Sequence, residues 1–557
     1  MRPVTRNRRS HGRAALRAMT AAIAGALLLA GCDLLPVSGG DDGASDGGSA
    51  SSSATASPGG SGSDLPLAEL GTSAAMDLPT DPATDPAYEA FYSQRVQWGP
   101  CEADVTADAS QAVECGTVRV PLAWNDPSGQ TIDLAVVRVA AGGEAKGSLF
   151  VNPGGPGASG VDFVAQNASY IFSQPMRQEF DIIGFDPRGI SRSAGIECLD
   201  DAQTDEYRAD TYDGSTDEGL ARSVEWMKKI AAACEEHSGA VLPYLDTYSA
   251  ARDMDVLRSA VGSEKLDYLG YSYGTYLGSS FADLYPERVG RFVLDGVMDP
   301  SITGDELTEG QAGGFQHAIE QFVGFCLEQQ ECALRGPSVE EGVEQLEALM
   351  DSIAENPIQT SDPDRPLTGA LASAGLSLLL YGDENWSFGV TGLNAAANGD
   401  GTLLLMFADL GAERSDDGTY TGNALYSILA VNCLDHPGIA DFAWQQKETE
   451  RLLEKYPAAG ITAYSQTMCD QWPVKPLRAP AEIHAPGSDL IVVIGTTGDP
   501  ATPYQWAQSL DAQLDNSVLL TFEGDGHTAY GRSGGCIEAA VDAYFLQGTA
   551  PADGLTC

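Results

Sequence analysis

The chain has 557 residues, 43% of them hydrophobic and 20% charged, and 79 acidic side chains face 31 basic ones for a formal net charge of −48. Such acidity repels phosphate backbones and excludes a nucleic-acid binder, while the apolar fraction excludes wholesale disorder. The length allows a few average domains, or one large core carrying an insertion.

The N-terminus departs from this acidity. Residues 1–32 hold six arginines and no acid, followed by a small, apolar run from Ala18 to Ala30. That order is the order of a secretory signal peptide, and the run is short for a membrane span. It ends Leu29-Ala30-Gly31-Cys32, which resembles the bacterial lipobox, in which the cysteine is lipidated and becomes the new N-terminus. Arg8-Arg9 is a weak twin-arginine signal, because polar Ser10 and His11 follow it. From Ser38 to Ser63, 17 of 26 residues are Gly or Ser, the composition of a flexible tether. As a random coil it reaches about 30 Å. A body held off a membrane by a lipid anchor is the expectation.

Cys32 aside, ten cysteines remain, and an even number in an exported chain reads as disulfides. Among about 945 pairings, sequence neighbours are preferred: Cys101–Cys115, Cys198–Cys234, Cys326–Cys332, Cys433–Cys469 and Cys536–Cys557. Metal binding is the rival, but no C-x-x-C occurs and the six histidines are scattered. No metal and no cofactor is expected.

In the body, short β-branched runs alternate with helical stretches. Thr131–Ala140, Ser148–Asn152, Phe180–Phe185, Leu266–Leu269, Arg291–Leu294, Leu490–Ile494 and Val518–Phe522 are predicted strands. Buried strands separated by helices predict an α/β fold with a mainly parallel sheet. Between them, Phe315–Leu327 and Val343–Ile353 read as helices of an insertion. The expected division is 1–32 signal peptide, 33–90 tether and lead-in, 91–300 first part of the core, 301–480 helical cap, and 481–557 last part of the core.

Three segments match G-x-S-x-G, beginning at Gly43, Gly270 and Gly531. Only Gly270-Tyr271-Ser272-Tyr273-Gly274 follows a predicted strand (Leu266-Asp267-Tyr268-Leu269) and precedes a predicted helix (Thr275 to Leu284). Glycines there permit a sharp turn that projects a serine hydroxyl, and the helix N-terminus favours developing negative charge. A serine needs a base to take its proton and an acid to orient that base, in the chain order Ser, acid, His for sheet enzymes of this kind. Asp499 follows the strand Leu490–Ile494, and His527 follows Val518–Phe522. The order is met. Asp525 is a rival acid in the same tight loop as the histidine, whereas His436 and His484 precede Asp499 and break the order.

An oxyanion hole needs two backbone N–H donors, one from the residue after the nucleophile, here Tyr273. The other should come from a glycine-rich loop after an early strand, which Pro153-Gly154-Gly155-Pro156-Gly157 supplies. A plain turn is the alternative reading of that segment.

These motifs, with Phe185-Asp186-Pro187-Arg188-Gly189, Gly498-Asp499-Pro500-Ala501-Thr502-Pro503 and Gly526-His527, resemble the prolyl and tripeptidyl aminopeptidase group of α/β-hydrolases (family S33). The resemblance runs from about Gln97 to Cys557 and includes Ala430-Val431-Asn432-Cys433 and Cys469-Asp470-Gln471-Trp472-Pro473 in the cap. It implies an α/β-hydrolase fold with a large helical cap, and it is nearest to secreted tripeptidyl aminopeptidases and related cell-envelope lipoproteins. It also implies Gly155 as the second oxyanion donor, although Pro153 stands where the H-G-G-P-G motif has histidine. Asp186 and Arg188 are expected to pair and brace their loop, and Thr502 to support the loop of Asp499. Exopeptidases of this group hold the substrate ammonium with acids, partly from the cap, and Asp435 is the candidate.

The expectation is an extracytoplasmic serine hydrolase, anchored to the membrane or released, monomeric, acting on peptide N-termini. The same triad would serve a carboxylesterase or lipase. A surface binding lipoprotein that has kept the fold is the non-enzymatic rival.

Overall fold

A computed structural model describes residues 70, 81–108, 112–213, 216–439, 441–458 and 469–557. Cys32, the signal segment and the Gly/Ser tether lie outside the described residues. Nine strands form one sheet: β1 Val113–Pro121, β2 Thr131–Val139, β3 Gly147–Asn152, β4 Phe180–Phe185, β5 Leu266–Tyr271, β6 Val289–Asp295, β7 Ile491–Gly498, β8 Ser517–Asp525 and β9 Leu555–Thr556. Their order is β1-β2-β4-β3-β5-β6-β7-β8-β9. The first two pairings are antiparallel and every other one is parallel.

All seven predicted strands are present, and β1 and β9 join them. β1 carries Glu114 and Arg119 and ends on Pro121, as an edge strand does. β9 is only two residues long, too short to read as a strand, and Cys557 beside it is bonded to Cys536. The other four expected disulfides form as well.

Side chains alternate across the sheet. Phe150, Ile183, Tyr268 and Phe292 pack with the helix Thr247–Val261 on one face. Val151, Ile182, Leu269 and Val293 pack with the helices Gly160–Ile171 and Cys536–Gln547 on the other. Burial on both faces is why these strands read as continuous apolar runs.

Between β6 and β7 the chain is helical. The predicted helices lie inside the longer Gly304–Glu328 and Val339–Glu355, whose polar first turns are set by capping. Thr303 and Glu306 form a capping box, and Ser338 accepts the N–H of Glu341. This region has its own core, including Ile319, Phe322, Leu346, Leu376 and Phe407.

The expected pairing of Asp186 with Arg188 does not form. The two side chains leave the turn after β4 toward opposite faces. Arg188 is fully buried and meets Asp253 through Nε at 2.7 Å and Nη2 at 2.6 Å, and it also donates to the carbonyls of Pro121, Leu122 and Tyr244. Asp186 instead accepts from the Ser159 hydroxyl at 2.6 Å and from the N–H groups of Val161 and Arg192. Asp186 and Arg188 each brace the turn, on different partners. Arg188→Met would strip the buried Asp253 of its ion partner and leave it only the Trp124 indole N–H, so it should cost about 3–5 kcal/mol in denaturant unfolding.

Candidate active site

Ser272 sits between the end of β5 and the helix Tyr273–Leu284, with φ 54° and ψ −124°. That conformation is costly for a residue with a side chain and persists only where its surroundings enforce it. Its N–H donates to the Asp295 carbonyl at 2.9 Å, and its own carbonyl accepts from the Thr275 N–H at 2.8 Å. Glycine is needed on both sides. A Cβ on Gly270 would fall on the Gly274 carbonyl, and one on Gly274 would lie 2.8 Å from the Asn152 carbonyl oxygen.

β7 runs past its predicted end to Gly498, and Asp499 follows directly. Its buried carboxylate accepts from the N–H groups of Ala501 (2.9 Å), Thr502 (2.8 Å) and Thr528 (3.1 Å) and from the Thr502 hydroxyl (3.0 Å). Both carboxylate oxygens lie 2.9 Å from His527 Nδ1. Thr502 Oγ1 is 3.3 Å from the same nitrogen, so it supports the acid and the ring together. With Nδ1 turned to Asp499, Nε2 is the nitrogen left for a nucleophile.

The rival residues lie elsewhere. Asp525 faces His317 of the cap at 3.6 Å. His436 is buried against Tyr276, and burial holds its imidazole down at about 4. His484 Nδ1 meets the Gln513 carbonyl at 2.7 Å. The segment beginning at Gly531 is a turn, and the one beginning at Gly43 lies outside the described residues.

The glycine-rich loop after β3 presses on the elbow. Gly154 donates to Asn152 Oδ1 at 3.0 Å, and a Cβ on it would stand 2.8 Å from that of Ser272. The N–H groups of Gly155 and Tyr273 meet no acceptor among the described residues. They are the two donors expected for an oxyanion.

Several groups at the site belong to none of the catalytic motifs in the sequence. Asp295 ends β6, and its carboxylate accepts the N–H groups of Ala529 (3.0 Å) and Tyr530 (2.7 Å). One residue therefore ties the elbow to the histidine loop. Burial pushes its carboxyl up to about 7, against the pull of those N–H donors. A lone acid ending an apolar strand was the available clue. From the cap, the Tyr381 carbonyl accepts the His527 N–H at 2.7 Å, and its ring stands edge-on to the imidazole at 5.4 Å. Arg532 donates to the carbonyls of Asp525 (2.6 Å) and Thr528 (3.0 Å) and to Asp383 of the cap (2.9 Å), with Glu384 at 3.5 Å. Pro153, Tyr271, Tyr381, Glu384, His527 and Arg532 border one cleft. Asp435 is not among its lining residues. It is buried and accepts from the backbone and hydroxyl of Thr247.

Comparison with known proteins places this geometry. Residues 456–557 match the family described as TAP-like protein. Serine protease Hip1 of Mycobacterium tuberculosis is 35% identical over 478 residues, covering 83% of this chain and 91% of that protein. Tripeptidyl aminopeptidase of Streptomyces lividans is 32% identical over 485 residues, covering 83% and 86%. Carboxylesterase B of M. tuberculosis is 36% identical over 469 residues, covering 83% and 89%. The chain belongs to this family of α/β-hydrolases. It is a serine hydrolase by membership, and the fold expected from its motifs is the fold it has.

The hydrolase should show a pH signature of Asp295. Its carboxyl keeps a proton to about pH 7 when folded and releases it near the ordinary carboxylate range when unfolded. The native state then binds more protons through that window, so the Asp295 contribution to stability falls as pH rises from about 4 to about 7. Melting temperatures of wild type and Asp295→Asn, compared across that range, should shift in the variant's favour. A constant difference would contradict the burial argument.

Proposed function

We propose that this hydrolase is an exported, lipid-anchored aminopeptidase that releases short peptides, of tripeptide size, from free N-termini through an acyl-enzyme. The observation that carries the chemistry is the strained elbow at Ser272, tied through Asp295 to the loop of a histidine whose Nδ1 is 2.9 Å from both oxygens of Asp499. Ser272 attacks the scissile carbonyl as His527 Nε2 takes its proton. Asp499 holds the tautomer and balances the imidazolium. The N–H groups of Gly155 and Tyr273 take the oxyanion. His527 then protonates the leaving amine, and water repeats the sequence on the acyl-enzyme.

Selection of a free N-terminus needs a carboxylate reachable from the cleft, and Glu384 is better placed for it than Asp435. Burial raises its carboxyl, while Arg532 opposes that shift. Glu384, Asp383 and Arg532 together leave one net negative charge at the cleft wall, which one ammonium would balance. The names of the peptidase relatives support a peptide substrate, and Cys32 in its lipobox supports anchorage outside the cytoplasm. The relative named as a carboxylesterase favours a second reading, in which the same triad cleaves an ester.

Anilides of one to three residues, free or N-acetylated, separate these readings beside short-chain esters. Free tripeptidyl anilides should be cleaved and acetylated ones spared; equal rates would overturn the aminopeptidase reading. Ser272→Ala should lower kcat by at least about 10³-fold. Glu384→Gln should raise KM for free peptides about 10–100-fold, the worth of one charged hydrogen bond, and leave ester hydrolysis unchanged. Cys32→Ala should move the protein from membrane to soluble fractions in its native cell.

A further inference from the structure

The residue after the nucleophile has an N–H free among the described residues at one end and an anchored side chain at the other. Its N–H is the proposed oxyanion donor, and its phenol, across the ring, enters a buried chain of hydrogen bonds. Tyr273 Oη lies 2.6 Å from Thr247 Oγ1, and Thr247 Oγ1 donates to Asp435 Oδ2 at 2.6 Å. The Thr247 N–H also reaches both oxygens of Asp435, at 3.2 and 3.1 Å. A hydroxyl has one proton, so when Thr247 gives its own to the carboxylate, Tyr273 must be the donor to Thr247. With Asp435 ionised the donors run from the elbow to the cap; with its carboxyl protonated the same contacts hold with the order reversed, so the three side chains stay tied in either state. Tyr273, Thr247 and Asp435 are all buried, and no water-exposed partner can substitute for a lost link.

Three separate pieces of the fold meet in this chain. Tyr273 opens the helix behind Ser272, Thr247 opens the helix Thr247–Val261, and Asp435 closes the cap helix Ala424–Asp435. The Cys433–Cys469 disulfide lies two residues from Asp435. Asp435 thus sits over a helix N-terminus, whose partial positive charge suits a carboxylate. Burial pushes the Asp435 carboxyl up to about 8, with Asp246 adding to the shift and the Thr247 hydrogen bonds and Arg478 opposing it; Tyr248, Tyr276 and His436 complete the polar surroundings. Asp246 is itself occupied as the helix N-cap, accepting from the backbone and hydroxyl of Ser249.

The strain at Ser272 gives this chain its purpose. A residue at φ 54° relaxes unless its neighbours are fixed on both sides. On the N-terminal side the Asp295 carbonyl holds the Ser272 N–H. On the C-terminal side, the anchored side chain of Tyr273 limits how far the peptide joining residues 272 and 273 can turn. We infer that Asp435, acting through Thr247, is a positioning residue that fixes Tyr273 and so aims its N–H at the oxyanion. This rests on the reading of Ser272 as nucleophile and Tyr273 as oxyanion donor. It gives the buried cap acid a role in the chemical step and none in holding the substrate amine.

The test compares kcat and KM for Tyr273→Phe, Thr247→Val, Thr247→Ser and Asp435→Asn in the full chain. One cleaved chromogenic substrate serves for all, with active sites counted by a fluorophosphonate that labels Ser272. Tyr273→Phe, Thr247→Val and Asp435→Asn, which leaves Thr247 one acceptor oxygen in place of two, should each lower kcat per labelled site roughly tenfold, the scale of one buried hydrogen bond, with KM unchanged. Thr247→Ser keeps the hydroxyl and should restore kcat. The double variant Tyr273→Phe/Thr247→Val should be no worse than either single one, because both cut the same chain. Values of kcat within twofold of wild type in the Phe and Val variants would overturn the inference, whatever their melting temperatures. Equal losses in Thr247→Ser and Thr247→Val would overturn it too. Failure of the probe to label Ser272 would instead remove the nucleophile reading, and this inference with it.

Discussion

A serine with a side chain is held at positive φ where β5 meets its helix, and the architecture around it makes that conformation tolerable. Strain of this kind persists only if several independent contacts enforce it. Here they come from the β6 carbonyl of Asp295, from close packing against Gly154, and from the hydrogen-bonded phenol of Tyr273. The parallel sheet brings these contacts to one edge. Parallel neighbours end on the same side, so the loops after β3, β5, β6, β7 and β8 all open there.

The cap takes part in that edge. Its Tyr381 carbonyl caps the His527 N–H, and Gly382 bridges to Gly526 in an antiparallel pair. Arg532 joins the cap acids to carbonyls on both sides of His527. The insertion has an apolar core separate from those of the sheet, yet it touches the histidine loop through backbone hydrogen bonds. The cap and the histidine loop are accordingly stabilised together.

Much of this was readable in the chain. The elbow stood out from two other G-x-S-x-G segments because a β-branched strand preceded it and a helix followed. Asp499 and His527 were legible because each comes just past a strand, where a parallel sheet delivers side chains to a common edge. Neighbour pairing of the cysteines was legible because short loops favour local partners. Asp186 and Arg188 were misread as a pair. Nearness in sequence says little about a turn whose side chains leave toward opposite faces of a sheet. The role first given to Asp435 came from its place in the cap, and Thr247 lies 188 residues before it.

The sequence by itself determined the strands, the order of Ser272, Asp499 and His527, and the glycines that let backbones meet. Those features depend on local sterics and on periodic burial, which neighbouring residues specify. Tertiary structure alone decided which acids face the cleft, which carbonyl caps His527, and which buried carboxylate holds the far end of Tyr273. Each of those contacts joins segments widely separated along the chain. A hydrogen bond across such a separation is chosen by packing once the sheet and cap have closed on each other, and no local pattern of residues encodes it.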